Sequence, residues 1–117
     1  MADAQALLDA IVDAPDDDAV RLVFSDWLDE HGDADRAEFI RAQIELFRDA
    51  AEARRDHLRR RERELLLAHE EEWAAPVREL GLTQGWRFRR GFIEEVKVSP
   101  EQFLAKGEEW FRLAPIR

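Results

Sequence analysis

The segment FSDWLDEHGDADRAEFIRAQ, Phe24 to Gln43, holds six acids, a histidine, a glycine and a tryptophan within twenty residues. Carboxylates and an imidazole at this density could hold a divalent cation or run acid–base chemistry, and each use demands a definite spacing. A calcium-binding loop between two helices needs oxygen ligands at positions 1, 3, 5 and 12 with glycine at 6. Placing Gly32 at position 6 puts Trp27 at position 1 and His31 at position 5, so the oxygen cage does not form. A hydrolytic set of Asp26, Asp29 and His31 fails as well, because on one helix Asp29 and His31 are two residues apart and face different ways. His31 fits the simpler role of a helix-end histidine near the carboxyl dipole. His57 and His69 lack a second ligand at useful spacing, and Glu70, Glu71 and Glu72 read as a solvated face. No catalytic, cofactor-binding or metal-binding residue is assigned.

A second chemistry is cationic. Arg54, Arg55, Arg59, Arg60, Arg61 and Arg63 place six arginines in ten residues against Asp56 and Glu62, and the segment WRFRR alternates Trp86 and Phe88 with Arg87 and Arg89. Rows of guanidinium groups track phosphates, and aromatics between them stack on bases. The alternative functional reading is therefore a nucleic-acid module using Arg54, Arg55, Arg59, Arg60, Arg63, Arg87 and Arg89. Against it stands a net charge of −9. Residues 1–35 hold eleven acids and one arginine, whereas residues 36–117 hold sixteen acids and seventeen bases. The acidic third is expected to pair with the arginine-rich helix inside the fold.

The elements that must position these groups follow from periodicity. Leu7, Leu8, Ile11 and Val12 mark a short amphipathic helix that stops before Pro15. In PDDDAV, Asp16 is the expected N-cap, with Asp17 and Asp18 in the first turn of a second helix. Val20, Val23, Phe24, Trp27 and Leu28 give that helix one buried face, and Gly32 ends it. Asp29 and Glu30 fall on the outer face. Asp33 or Asp35 caps the third helix, Asp35 with Glu38 at capping-box spacing, and its core face is Ala37, Ile40, Ile44 and Phe47, widened by Phe39 and Leu46. Asp26 lies beside the apolar stripe and is expected to form a buried ion pair with Arg36 or Arg41.

One helix from Asp33 to Ala75 would run about 60 Å, too long for a compact domain with a radius of gyration near 13 Å. Residues 49–57 contain no apolar side chain larger than alanine. The break belongs there, with a fourth helix from about Asp56 to Trp73 that turns Leu58, Leu65, Leu66, His69 and Trp73 inward. Pro76 opens a short helical turn closed by Gly81. WRFRRGFIEEVKVS then alternates like a hairpin or two short strands, with Arg90 and Gly91 between them and Val96 and Val98 pointing one way. A last helix carries the stripe Phe103, Leu104, Gly107, Trp110 and Phe111. The fold class is α+β, mainly α, and the chain is one domain: a helical bundle over 1–82 and a strand–helix unit over 83–117.

The 117 residues are 45% hydrophobic and suit a single core. A core this size needs most of the four Trp and seven Phe for packing. Trp27, Ile40, Trp73, Phe92, Val96, Val98, Trp110 and Phe111 are its expected anchors. The absence of cysteine excludes disulfides, thiolate nucleophiles and sulfur-ligated zinc. The acidic start lacks the basic and apolar regions of a signal peptide, and no apolar run approaches a membrane span. A cytoplasmic location with no membrane partner is expected.

The carboxyl end also reads as one leucine-rich repeat. Ile93, Val96, Val98 and Phe103 fill the first, fourth, sixth and eleventh positions of L-x-x-L-x-L-x-x-N/C-x-L, while Glu101 replaces the Asn/Cys. The next first position would be Ile116. RLVFSDWLDEHGDADRAEFIRAQIEL, RERELLLAHEEEW and RFRRGFIEEV through WFRLAPIR together resemble, in that order, the bacterial repeat-companion domain, over nearly the whole chain. The motif residues carrying the likeness are Asp26, Trp27, Gly32, Asp33, Glu38, Phe39, Ile40, Arg41, Arg90, Gly91 and Phe92. Where that family commonly has proline after the Gly-Asp turn, this chain has Ala34, equally acceptable at a first helical position.

The resemblance implies a non-enzymatic module at the amino end of larger bacterial proteins, often ahead of leucine-rich repeats. Its expected partners are following repeat units, in the same polypeptide or another protein. A stack of repeats needs a polar-faced terminal unit over its bare apolar edge. On this reading the chain stops where the first full repeat would begin, and its exposed strand edge is open to self-association.

Overall fold

The computed structural model describes residues 4–48, 51–79, 81, 85–97, 99–101, 108–109, 111–112 and 114–116. Helix α1 (Ala4–Asp13) buries Ile11 completely and ends before Pro15. Helix α2 (Asp18–Glu30) is capped one residue later than the DDD run suggests: the side chain of Asp17, not Asp16, accepts from the Ala19 amide at 3.0 Å. Its buried face also differs. Arg21, Ser25 and Leu28 point inward, while Val23 is 52% exposed. Of the expected stripe, Leu28 is buried and Val20, Phe24 and Trp27 are partly buried, so the face is rotated only enough to expose Val23 and to admit an arginine with partners of its own.

Three residues, His31, Gly32 and Asp33, join α2 to the next helix. Gly32 takes φ +88°, the Gly32 amide bonds to the carbonyl of Asp29 at 3.5 Å, and the Asp33 amide to that of Leu28 at 2.8 Å. This paired closure satisfies the last carbonyls of α2 and relies on glycine's freedom at positive φ. Asp33 then caps α3 (Ala34–Phe47), accepting from the Arg36 amide at 3.2 Å. Asp35 and Glu38 make no capping box; they reach His69 and Arg61 instead. Because the Asp33 side chain caps α3, Asp33→Ala is expected to cost about 1 kcal/mol, measured as a fall in urea midpoint.

The predicted break is present but shorter. Helix α4 (Glu52–Trp73) begins four residues ahead of Asp56, and its Leu58, Leu65 and Trp73 are buried. The break keeps the chain within a longest extent of 43 Å. Alanines and charged residues with good helix propensity let α4 start before its first apolar anchor. Phe47, expected in the core, is 58% exposed at the end of α3. A short helix α5 (Ala75–Glu79) follows.

Strands β1 (Trp86–Arg89) and β2 (Phe92–Val96) form an antiparallel hairpin. Arg90 and Gly91 both have positive φ, 49° and 89°, as a two-residue turn matched to strand twist requires. The register is Arg89 with Phe92 and Phe88 with Ile93, then Arg87 with Glu95, which leaves Glu94 as the extra residue of a bulge. Consequently Phe92, Ile93 and Glu94 are all buried rather than alternating.

Two apolar clusters result. One gathers Phe39, Leu65, Trp73, Val77, Phe88, Ile93 and Ile116; the other gathers Ile11, Leu28, Ala37, Ile40, Ile44 and Phe92. Neighbouring residues on α3, Phe39 and Ile40, point into different clusters, and so do Phe92 and Ile93 on β2. Helix α3 and strand β2 thus tie the halves into one mainly helical α+β fold. Of the expected carboxyl-terminal helix, residues 100–101, 108–109 and 111–112 are helical. Val98, Phe103, Leu104, Gly107 and Trp110 lie outside the described residues, and Phe111 is 39% exposed. No helix among the described residues is long and apolar enough to cross a membrane.

Candidate functional site

Of the residues that carry the resemblance, Ile40, Gly91 and Phe92 meet at the tip of the hairpin. Gly91 packs directly on α3: a side-chain carbon added there would lie 2.8 Å from Ile40 Cα, and its φ is +89°. The Gly91 amide donates to Gln43 Oε1 at 2.8 Å, and Arg36 Nη2 donates to the Gly91 carbonyl at 2.9 Å. Gln43 in turn donates through Nε2 to Glu62 Oε2 at 2.9 Å. Arg21 Nη1 donates to the carbonyls of Arg89 and Arg90 at 3.1 and 3.2 Å, and Nη2 to that of Pro15 at 2.6 Å. The turn's backbone polar groups are therefore satisfied by side chains from α2 and α3, as buried groups must be. A hairpin tip is held in a socket made by the helical pair.

Beside the tip lies a buried ionic group. Glu94 receives Arg21 Nη1 at 2.7 Å and Arg90 Nε at 3.2 Å on Oε2, and Arg90 Nη2 at 3.1 Å on Oε1. Arg90 Nη1 also donates to Asp18 at 3.2 Å. Arg21, Arg90 and Glu94 are at most 5% exposed. Burial lowers the Arg21 pKa, with Glu94 opposing it; around Arg90 burial acts the same way but Glu94 and Asp18 together outweigh it, so its value is raised. Arg36 lies against the faces of Trp73, Phe92 and Phe88 at 4.9, 5.4 and 5.9 Å. Desolvation lowers its pKa to about 10 despite Asp33 and Glu72.

Periodicity left these groups unassigned because charges are read as outward by default. The signals were present: Arg21, Ser25 and Leu28 share one helical face, and adjacent Glu94 and Glu95 break the alternation of a strand. One glutamate had to turn inward.

Asp26 does bond to Arg41, at 2.7 Å, but the pair is exposed, with side chains 72% and 40% accessible. It is not the expected buried pair, since both residues sit on the outer rim of the helical turn, and Arg36 turns to Gly91 instead. Trp27 is half-buried and stacks on His31, whose Nδ1 lies 2.7 Å from the Trp27 carbonyl and must donate to it. Glu38 holds Arg61 through two bonds of 2.7 Å.

His69 is stacked on Trp73, with Nε2 2.8 Å from Asp35 and Nδ1 3.2 Å from Glu72. Two carboxylates accepting from one ring favour its doubly protonated form, and its pKa is raised chiefly by the bond to Asp35 and then by that to Glu72. A raised value means stability fully present below the unfolded pKa of about 6.5 and lost as pH rises through the folded one. The stability difference between the wild type and His69→Gln should therefore shrink from pH 6 to pH 8, as read by urea unfolding at each pH.

The arginines divide between two grooves of α4. The first, about 630 Å³, is lined by Arg41, Arg48, Arg54 and Arg61 with Glu38 and Glu45, and each of these arginines bonds to a carboxylate. The second, about 570 Å³, lies between α4 and the hairpin and brings together Arg55, Arg59, Arg63, Arg87 and Arg89 with Glu62 and Phe47. Arg60 is exposed on α4 and lines neither groove. The acidic third does not pair with the arginine run of α4 as expected; it meets α4 through Asp35 and His69. Its aspartates bond to Arg41, Arg48, Arg90 and His69, all outside the arginine run. The short turn between α2 and α3 folds α2 back so that its acids lie against α3 and the hairpin tip.

Among the described residues no group of three histidines, aspartates or glutamates is placed to hold a metal ion. No protein-family model, curated protein or solved structure matches the chain.

Proposed function

We propose that this chain is a non-enzymatic capping and interaction module for a leucine-rich repeat stack, of the repeat-companion type. The observation that carries the reading is the position of Ile93 and Ile116. Twenty-three residues apart, they would be the first positions of consecutive repeats, and both side chains enter the same core cluster with Phe88 and Trp73. Successive strands of a solenoid share their first-position core in this way. Strand β2 pairs only with β1 among the described residues, so its other edge is the place for the next strand. The helical bundle behind it, with acids on its outer face, supplies the polar covering that a terminal unit needs.

Fusing the chain ahead of an array of leucine-rich repeats tests this. A cap should raise the melting temperature of the array and yield one cooperative transition. Two independent transitions at the temperatures of the separate parts would contradict it.

A further inference from the structure

We propose that the cleft between α4 and the hairpin binds a single strand of nucleic acid, its phosphates along Arg55, Arg59 and Arg63 and a base against Phe47. The three α4 arginines recur at every fourth position, so they share one face about 6 Å apart along the axis. Arg87 and Arg89 are alternate residues of β1, hence on one side of the strand about 7 Å apart. The cleft therefore presents two rows of guanidinium groups with similar spacing, one on each wall.

Charge accounting favours a free anion-binding face here and not in the neighbouring groove. Every arginine lining the groove of Arg41, Arg48, Arg54 and Arg61 has a carboxylate partner. Arg55, Arg59 and Arg63 form no ion pair with any described residue. Among the described residues the acid that lines the cleft is Glu62, which is engaged by Gln43, and Glu95 on β2 is shared by Arg87 and Arg89 at 3.9 and 3.3 Å. Asp16 and Asp18 lie at the Arg90 end and are held there. A positive cleft thus survives on a chain of net charge −9, because the acidic third is spent elsewhere.

Phe47 decides which polyanion fits. It is 58% exposed at the rim of this cleft, with the Arg90 guanidinium 4.7 Å from its ring. An exposed aromatic beside a row of arginines is the combination that binds single-stranded nucleic acid, the bases stacking while the backbone follows the cations. An acidic peptide would use the arginines and leave the ring idle. The cleft volume lies within the range of about 300–1,000 Å³ typical of ligand pockets, as a nucleotide requires.

The test is fluorescence anisotropy of the full chain with a labelled twelve-nucleotide oligouridylate, in about 50 and about 200 mM salt. Three phosphate contacts predict that affinity falls about twentyfold between the two salts. Charge reversal at all three positions, Arg55→Glu with Arg59→Glu and Arg63→Glu, should abolish binding while the melting curve stays near wild type. Arg54→Gln, in the other groove, should bind as wild type. If the triple variant unfolds, the single Arg59→Gln decides the matter by lowering the salt slope by about one contact. Phe47→Ala should weaken the oligonucleotide at least about fivefold and leave binding of polyglutamate unchanged. Absence of binding at the lower salt, or equal binding by the triple variant, overturns the proposal. So does a Phe47→Ala variant that binds like wild type while polyglutamate displaces the oligonucleotide; the cleft would then belong to an acidic protein segment.

Discussion

Replacing Gly91 by alanine is expected to destabilise the fold by about 2 to 5 kcal/mol, a large part of a marginal domain's stability. Two independent effects add. At φ +89° an L side chain is strained by about 1–2 kcal/mol. The new carbon would also lie 2.8 Å from Ile40 Cα and Cβ, and overpacking of this kind costs about 1–3 kcal/mol. Ile40 cannot retreat easily, for it is fully buried in the cluster with Leu28, Ile44 and Phe92. Gly32 supplies the control. Its φ is +88° but nothing lies within 4 Å of an added carbon, so Gly32→Ala should show only the backbone cost of about 1–2 kcal/mol. Urea titrations of the two variants separate the contributions, provided their slopes match the wild type. Equal losses would mean that the hairpin tip is not seated on α3.

Glu94→Ala is expected to cost about 3–5 kcal/mol, because it strands two buried guanidinium groups. The cost comes from what remains. Arg21, fully buried, would keep its three carbonyl acceptors but no bonded counter-charge, Asp18 acting on it from further off, and Arg90 would keep Asp18 and the more distant Asp16. Glu94→Gln retains an acceptor at the same place and should lose less. Replacing Arg21, Arg90 and Glu94 together by apolar residues of similar volume removes the stranded charges, but it leaves the carbonyls of Pro15, Arg89 and Arg90 without their donor and should still lose stability. Thermal melts rank the three variants. If Glu94→Ala melted within a few degrees of wild type, water would have to reach the cluster on opening, and its role as a lock on the turn would be lost.

Local chemistry made the helical part of the fold readable from the sequence. Asp33 and Gly32 announce the α2–α3 turn because capping and positive φ are properties of single residues and their near neighbours. The hairpin turn at Arg90 and Gly91 was legible for the same reason. What Gly91 rests against was not, since Ile40 is fifty-one residues away and no periodicity links them. Arg21 and Glu94 were hidden by the rule that charges face water, which fails when a bulge turns one strand residue inward. The two faces of the arginine run could be drawn from helical spacing alone, but only the acids' actual partners show that Arg55, Arg59 and Arg63 are left unneutralised among the described residues.

These observations bear on function through rigidity. A cap must present a fixed strand to the repeat that follows, and β2 is fixed from behind by Gly91 on Ile40 and by Glu94 on Arg21 and Arg90. Without those contacts a two-stranded hairpin is marginal in water. On the proposed capping role, the seating of the hairpin is what would make the edge of β2 usable as a template for the next strand.

Amide hydrogen exchange across β2, Phe92 to Val96, tests the capping claim most directly, compared between the chain alone and the chain fused ahead of leucine-rich repeats. Strong slowing of the amides that point away from β1, appearing only in the fusion, is the predicted result. Unchanged exchange at those amides, with the repeats folded, would contradict it.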